Sequence, residues 1–181
     1  MDDRQLIEEY LSGDEDAIEG IITKYRKMIY SLAFRLTNNM ETAKDITQET
    51  FIKAMQGLRK FRMDASLKTW LYRIATNISL NHLRKKEPET IDVDGTIVRS
   101  EPLVLTSMIK KEKDDYLARA LLMLPKRQRI AVTLRTAEGL SCKETAAVMD
   151  CSEGAVKAHY HNGVKKLKAI IKELGYENGS S

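Results

Sequence analysis

Cysteine, proline, glycine and aromatic side chains are all scarce in this chain of 181 residues. It has two cysteines, three prolines, nine glycines, one tryptophan, seven tyrosines and three phenylalanines. All-β sandwiches and barrels need many turn residues and many aromatic or β-branched strand positions, so they are excluded. Two cysteines make no disulfide framework. Cys142 and Cys151 would flank a helix of about eight residues, which at ~1.5 Å per residue holds them ~12 Å apart, whereas a bridge needs Cα atoms within ~7 Å. They are expected as small buried or turn residues. No apolar run approaches the ~18 residues of a membrane span. Met1-Asp2-Asp3-Arg4 lacks the basic-then-apolar order of a signal peptide, so a cytoplasmic protein without membrane insertion is expected.

Chemistry-bearing motifs are also missing. There is no glycine-rich phosphate loop and no metalloprotease-type histidine pair. A zinc site built from Cys142, Cys151, His159 and His161 fits no common finger spacing, and its two histidines would lie on different faces of a helix. The expectation is therefore no catalytic residues, no metal and no cofactor. What the chain does have is an ordinary globular share of hydrophobic residues, 43%, with 31% charged. Wholesale disorder is excluded.

Net charge is +4, but its distribution says more. Residues 1–60 carry 9 basic and 11 acidic side chains, and residues 61–86 carry 6 and 1. Residues 87–112 carry 3 and 6, and residues 113–181 carry 12 and 8. Two basic segments around an acidic one suit two contacts with a polyanion and a middle with another task. Solvated helix surface gives the same counts.

Hydrophobic spacing predicts an all-α protein. It divides into an N-terminal helical domain over 1–86, an extended acidic linker over 87–112 and a C-terminal helix-turn-helix domain over 113–175. Ser12 and Glu15 fit a capping box. The helix after them carries Ala17, Ile21, Tyr25, Met28, Leu32 and Leu36 at steps of three and four. A second helix runs from about Met40 to Leu58, and a third, capped by Ser66, to about Lys86. Glu87-Pro88 ends it, because a residue before proline disfavours the helical region. Helix resumes near Met108 and stops before Pro125, which suits the first position of the next helix. Ser141 and Glu144 form another capping box. Helix Cys142–Met149, the turn Asp150-Cys151-Ser152 and a last helix to about Leu174 follow. The tail from Asn178 is expected to be disordered.

Three faces carry function-like patterns. On the helix over 43–58, Ala43, Ile46, Thr50, Phe51, Ala54, Met55 and Leu58 fill one arc. Ile52 lies alone in the opposite arc among Asp45, Gln48, Glu49 and Gln56. That is either an isolated exposed isoleucine or the centre of a small acidic protein contact. On the helix over 66–86, Trp70, Arg73, Asn77, Asn81 and Arg84 run beside the buried stripe Leu67, Leu71, Ile74, Ala75 and Ile78. Arginines bind phosphate, asparagines reach base edges and aromatics stack on bases. A solvated amphipathic helix is the alternative. The strongest pattern is 140–157, a short capped helix with small Ala146 and Ala147 at a helix crossing, then a turn and a second helix capped by Ser152. That helix buries Val156, Tyr160, Val164, Leu167, Ile171 and Leu174. It presents Lys157, Ala158, His161, Asn162 and Lys165, a front suited to the major groove.

Over essentially its whole length the chain resembles RNA polymerase sigma factors of the extracytoplasmic-function (ECF) class. Three stretches carry the likeness. They are Glu41-Thr42-Ala43-Lys44-Asp45-Ile46-Thr47-Gln48-Glu49-Thr50-Phe51-Ile52-Lys53-Ala54, then Ser66-Leu67-Lys68-Thr69-Trp70-Leu71-Tyr72-Arg73-Ile74-Ala75-Thr76-Asn77, then Leu124-Pro125-Lys126-Arg127-Gln128-Arg129 with the helix-turn-helix after it. The resemblance implies a factor that binds core RNA polymerase and directs promoter-specific transcription initiation. It implies that Asp45, Gln48, Glu49 and Ile52 meet the β′ clamp helices. It gives Phe61, Arg62, Trp70, Arg73, Asn77, Asn81 and Arg84 to the −10 element of promoter DNA. Ser152, Lys157, Ala158, His161, Asn162 and Lys165 fall to the −35 element, with the C-terminal domain also on the β flap. The acidic linker would thread the polymerase's RNA path, and an anti-sigma factor is an implied partner.

One stretch departs from the pattern. The family's recognition helix often reads Val-Lys-Ser-Arg-Leu-x-Arg-Ala-Arg. Here Val156-Lys157-Ala158-His159-Tyr160-His161-Asn162-Gly163-Val164 replaces three arginines, by His159, Asn162 and Val164. Read from the residues without the resemblance, the pattern also fits a dimeric two-domain regulator that binds an operator.

Overall fold

The computed structural model describes residues 2–86 and 109–174, all of whose regular elements are helical. The expected linker up to 108 and the expected disordered tail lie outside the described residues. Four helices precede the gap: α1 (Asp3–Leu11), α2 (Asp16–Thr37), α3 (Met40–Gly57) and α4 (Leu67–Lys86). A single 3₁₀ turn, Leu58–Lys60, follows α3. Four helices come after the gap: α5 (Ile109–Leu122), α6 (Lys126–Val132), α7 (Cys142–Met149) and α8 (Glu153–Glu173). One π turn, Thr133–Ala137, extends α6.

The capping signals divide instructively. Ser141 accepts from the Glu144 amide at 3.1 Å, and Glu144 accepts from the Ser141 amide at 2.7 Å, so the second capping box forms. The first does not. Ser12 ends α1, where its hydroxyl donates to the Glu9 carbonyl at 2.7 Å, and α2 starts behind Glu15 with no side-chain cap. The tight turn there is instead bridged by Asp14, whose carboxylate accepts from the Asp16 amide at 3.0 Å. Asn39 caps α3 by accepting from the Thr42 amide at 2.8 Å. Pro125 sits one position earlier than expected, as the N-cap of α6.

Helices α2, α3 and α4 pack on one another along Ile29, Leu32, Leu36, Phe51, Leu58, Leu71 and Ala75, all buried. The same buried cluster continues into the C-terminal helices through Ile130, Leu134, Val148, Met149 and Val156. α4 lies against α7, and α6 and α7 against α8. A second small cluster, Ala33, Ala43, Ile46 and Ile78, closes the far side of α2–α4.

Several side chains are less buried than their spacing predicts, and Met28, Tyr160, Val164, Leu167 and Ile171 are half-buried. Met55 is exposed because it sits at the edge of the α3 arc, where Thr47 is buried instead and bonds the Ala43 carbonyl at 2.6 Å. Ala147 is exposed, so Ala146 alone serves the helix crossing. Leu174 is exposed because α8 outruns the helices beneath it. Ile74 is half-buried, and Tyr72 takes the deeper place on α4.

Candidate protein and nucleic-acid interfaces

The outer face of α3 is built as the spacing requires. Ile52 is 55% exposed, and Asp45, Gln48 and Gln56 around it are exposed as well. Glu49 is half-buried and paired on both sides, with Lys53 at 2.9 Å on its own helix and His82 at 3.8 Å on α4. The hydrogen bond from Lys53 holds the Glu49 carboxyl below its ordinary range, so this face keeps its negative charge. A large apolar side chain ringed by polar and acidic groups is dressed for a partner of complementary charge.

The α4 stripe is set by Ser66, whose hydroxyl accepts from the Thr69 amide at 3.1 Å. Arg73, Asn77, Asn81 and Arg84 are all exposed along one side. Trp70 and Phe61 do not share that freedom. Their rings lie 4.8 Å apart, half-buried against the core, and Gly57 leaves the space that the indole occupies. They form an aromatic wall at the mouth of the loop 61–66. Arg62 is exposed on that loop, beside Met63 with φ of 56°. Loop backbone in the left-handed region is costly for methionine and is held where the surrounding fold over-determines it.

The far half of the stripe is exposed at the rim of a cleft. Asn77, Asn81 and Arg84 line a cleft of about 330 Å³ whose opposite wall carries Arg127, Met149 and Asp150. Arg73 reaches Asp150 at 3.8 Å.

In the helix-turn-helix, Asp150 ends α7 at φ 52°, and Ser152 opens α8 by accepting from the Ala155 amide at 3.1 Å. Val156 is fully buried behind Lys157, Ala158, His161, Asn162 and Lys165, which are exposed together. All five side chains expected on the front are there. His159 is turned away, half-buried. Burial, with the nearby Arg127 charge, holds its imidazole below the ordinary histidine value and so favours the neutral ring. Both cysteines are free and half-buried, and Cys142 donates to the Glu153 carbonyl at 3.5 Å.

Gly163 is a positional residue that the sequence reading passed over. A Cβ there would lie 2.7 Å from Val132 Cγ2 and 3.2 Å from the Gln128 carbonyl oxygen, so α8 rests directly on α6. Arg129 is a second. It is buried and donates to the carbonyls of Leu36 at 3.0 Å and Leu122 at 2.6 Å. A glycine on the buried side of the periodic stripe was the available signal for the first; the second stood in the Leu124–Arg129 stretch that carries the likeness, with nothing to mark it as buried.

Two family models match. Sigma-70 region 2 covers residues 21–89, and Sigma-70 region 4 covers 114–167. The ECF RNA polymerase sigma factor SigW of Bacillus subtilis is 31% identical over 94% of this chain and 97% of its own. The chain belongs to the ECF sigma factor family. As a sigma factor it acts with RNA polymerase in transcription initiation. The ECF RNA polymerase sigma-E factor of Escherichia coli is 34% identical over 96% of each chain, and the RNA polymerase sigma-H factor of Pseudomonas aeruginosa 35% over 95% of each. Among solved structures, CnrH in complex with the cytosolic domain of CnrY superposes with a TM-score of 0.74 at 22% identity, covering 94% of this chain and 97% of that one. The Bartonella quintana sigma factor RpoE in complex with the anti-sigma factor NepR gives 0.65 at 24%, covering 85% and 96%. Both likenesses are of fold. Within this sigma factor α3 and α4 fall in region 2, and the helix-turn-helix in region 4. Among the described residues no helix is long and apolar enough to cross a membrane, and no group of three or more His, Cys, Asp and Glu side chains could hold a metal ion.

Proposed function

We propose that the three faces divide the work of initiation. Asp45, Gln48, Glu49 and Ile52 dock on the β′ clamp helices of core polymerase. Arg62, Arg73, Asn77, Asn81 and Arg84 engage the −10 element, with Phe61 and Trp70 as a wall against which an unstacked base can rest. Ser152, Lys157, Ala158, His161, Asn162 and Lys165 engage the −35 duplex, and the same domain meets the β flap. The domains are 1–86 and, after a linker that begins at 87, a C-terminal unit running to 175 whose first helix, α5, already starts at Ile109 rather than at 113. The protein carries out no chemistry of its own and works in the cytoplasm. The solved structures it resembles hold a CnrY domain and the anti-sigma factor NepR, which supports an anti-sigma partner here too.

The observation that carries this reading is the separation of faces. An isoleucine among acids on α3 and a cationic, amide-bearing stripe on α4 are both exposed, on different helices of one packed unit. Run-off transcription by core polymerase on a genomic promoter library tests it. Promoter-specific transcripts are expected only with the sigma factor present. Ile52→Asp is expected to leave folding intact and weaken core binding by ~2 kcal/mol or more, the scale of an interface hot spot. Asn77→Ala is expected to bind core normally but reduce permanganate reactivity in the −10 region, because a base leaves its stack only when contacts repay a few kcal/mol. Unchanged core affinity in the first variant, or unchanged footprints in the second, removes the corresponding role.

A further inference from the structure

The cleft beside α4 carries chemistry that neither proposed interface uses in full. One wall is α4, and the other is α6 with the end of α7. Glu138 ties α4 to the turn between α6 and α7. Its carboxylate is only 6% exposed and accepts from Arg35 of α2 at 2.6 Å and from the Tyr72 hydroxyl of α4 at 2.5 Å. The space of about 330 Å³ between the walls falls at the small end of sites that take organic ligands, ~300–1,000 Å³.

Two features of the walls cost free energy that nothing inside the chain returns. Arg84 and Arg127 stand on opposite walls, both exposed, and neither has an ion-pair partner among the described residues. Charges of one sign in a cleft reinforce each other's field and concentrate counter-ions there. Asp150, the one acid among the described lining residues, faces Arg73 at 3.8 Å. Thr76, on the α4 wall, is 1% exposed, and its hydroxyl has no hydrogen-bond partner. A buried hydroxyl left unpaired is costly and marks a place where a ligand or an ordered water completes the bonding.

The rest of the lining sorts the ligand. Guanidinium groups suit phosphate oxygens, which they grip with paired N–H donors. Leu80, Ile130, Val148 and Met149 supply the apolar surface of the cleft, and a thioether is a favourable neighbour for an aromatic ring. Asn77 and Asn81 carry amides that both donate and accept, as the edge of a base requires. Phosphate, a flat ring and a hydrogen-bonding edge occur together in a nucleotide. We infer that this cleft binds a free nucleotide, with its phosphates on Arg84 and Arg127 and its base on Leu80 and Met149 beside the asparagines. The inference goes beyond the promoter-binding reading and does not need it. It makes a nucleotide and the −10 strand rivals for Asn77, Asn81 and Arg84, and it leaves the Ile52 face on α3 open.

The test is equilibrium dialysis of the free full-length protein against radiolabelled ADP and GDP. Unlabelled adenosine and inorganic pyrophosphate serve as competitors. Saturable one-to-one uptake of at least one nucleotide is expected, with each competitor about tenfold or more weaker. Arg127→Ala is expected to weaken uptake about tenfold or more, because hydrogen bonds to charged groups act on that scale. Thr76→Val keeps the side-chain volume and is expected to weaken it about two- to tenfold, with helix content by circular dichroism unchanged. Lys172→Ala removes the same charge outside the cleft and is expected to leave uptake as in the wild type. No saturable uptake of either nucleotide overturns the inference. Uptake that Arg127→Ala leaves unchanged, or that Lys172→Ala weakens equally, places the nucleotide elsewhere and overturns it too. Pyrophosphate competing as well as the nucleotides reduces the cleft to an anion site and overturns the nucleotide assignment.

Discussion

Two glycines show how the same substitution takes opposite signs in two different helices. At Gly163 an added methyl meets Val132 Cγ2, Gln128 Cβ and the Gln128 carbonyl, none of which can swing aside. Alanine gains about 1 kcal/mol of helix propensity there, but pushing α8 off α6 costs ~1–3 kcal/mol. At Gly20 the close neighbour is Leu6 Cδ2 at 2.9 Å, the end of a flexible side chain. Urea titration is expected to show Gly163→Ala less stable than wild type and Gly20→Ala equal or more stable. His159 belongs to the same scale. Its ring is held below the ordinary value, so the unfolded chain takes up a proton first as the pH falls. Stability is then complete above about pH 6.5 and declines as the pH drops through that value. The shifted carboxyls Asp3, Glu49 and Glu144 act in the more acidic range. His159→Gln is therefore expected to flatten the thermal stability profile between about pH 7 and 5.5. A profile as steep as that of the wild type would show that the ring does not govern it.

At the scale of single helices, two serine–glutamate pairs with the same spacing behave differently. Ser141 and Glu144 satisfy each other's amides at the start of α7. Ser12 belongs to the end of α1, so Glu15 has no serine to answer. Ser141→Ala is expected to cost ~1 kcal/mol, and Ser12→Ala little, in chemical denaturation. Helix α8 carries the other element-scale expectation. On the function proposed above, lysines on its front touch phosphate and the Asn162 amide meets the N6/N7 edge of adenine. Lys157→Ala is expected to weaken all −35 sequences alike and lower the salt dependence by about one counterion. Asn162→Ala is expected to relax preference at one or two positions for ~1–3 kcal/mol. An unaltered selected motif would place Asn162 outside base contact.

The whole molecule adds a cooperative property to its parts. One buried cluster runs from Leu6 and Ile21 through α4 to Val148 and Val156. Calorimetry of the wild type is expected to give one unfolding transition, and Glu138→Ala to separate it into two. Two transitions in the wild type would mean that the cluster does not couple the halves. Local chemistry in the sequence already determined much of this protein. Ser66, Ser141 and Ser152 start their helices because a cap needs only an oxygen and an amide three residues on. The steps of three and four placed Ile52, Arg73, Asn77, His161 and Asn162 outward, because a helix repeats every 3.6 residues. The fates of Ser12, Met55, Ala147 and Leu174 were decided by what packs beside them, which no spacing within one helix encodes. The pairing of the halves was decided only in three dimensions. Glu138 finds Tyr72 across 66 residues and Arg35 across 103, and Arg129 finds the Leu36 carbonyl across 93. A buried charge takes whichever partner the fold brings near, and nothing within a few residues of it names that partner in advance.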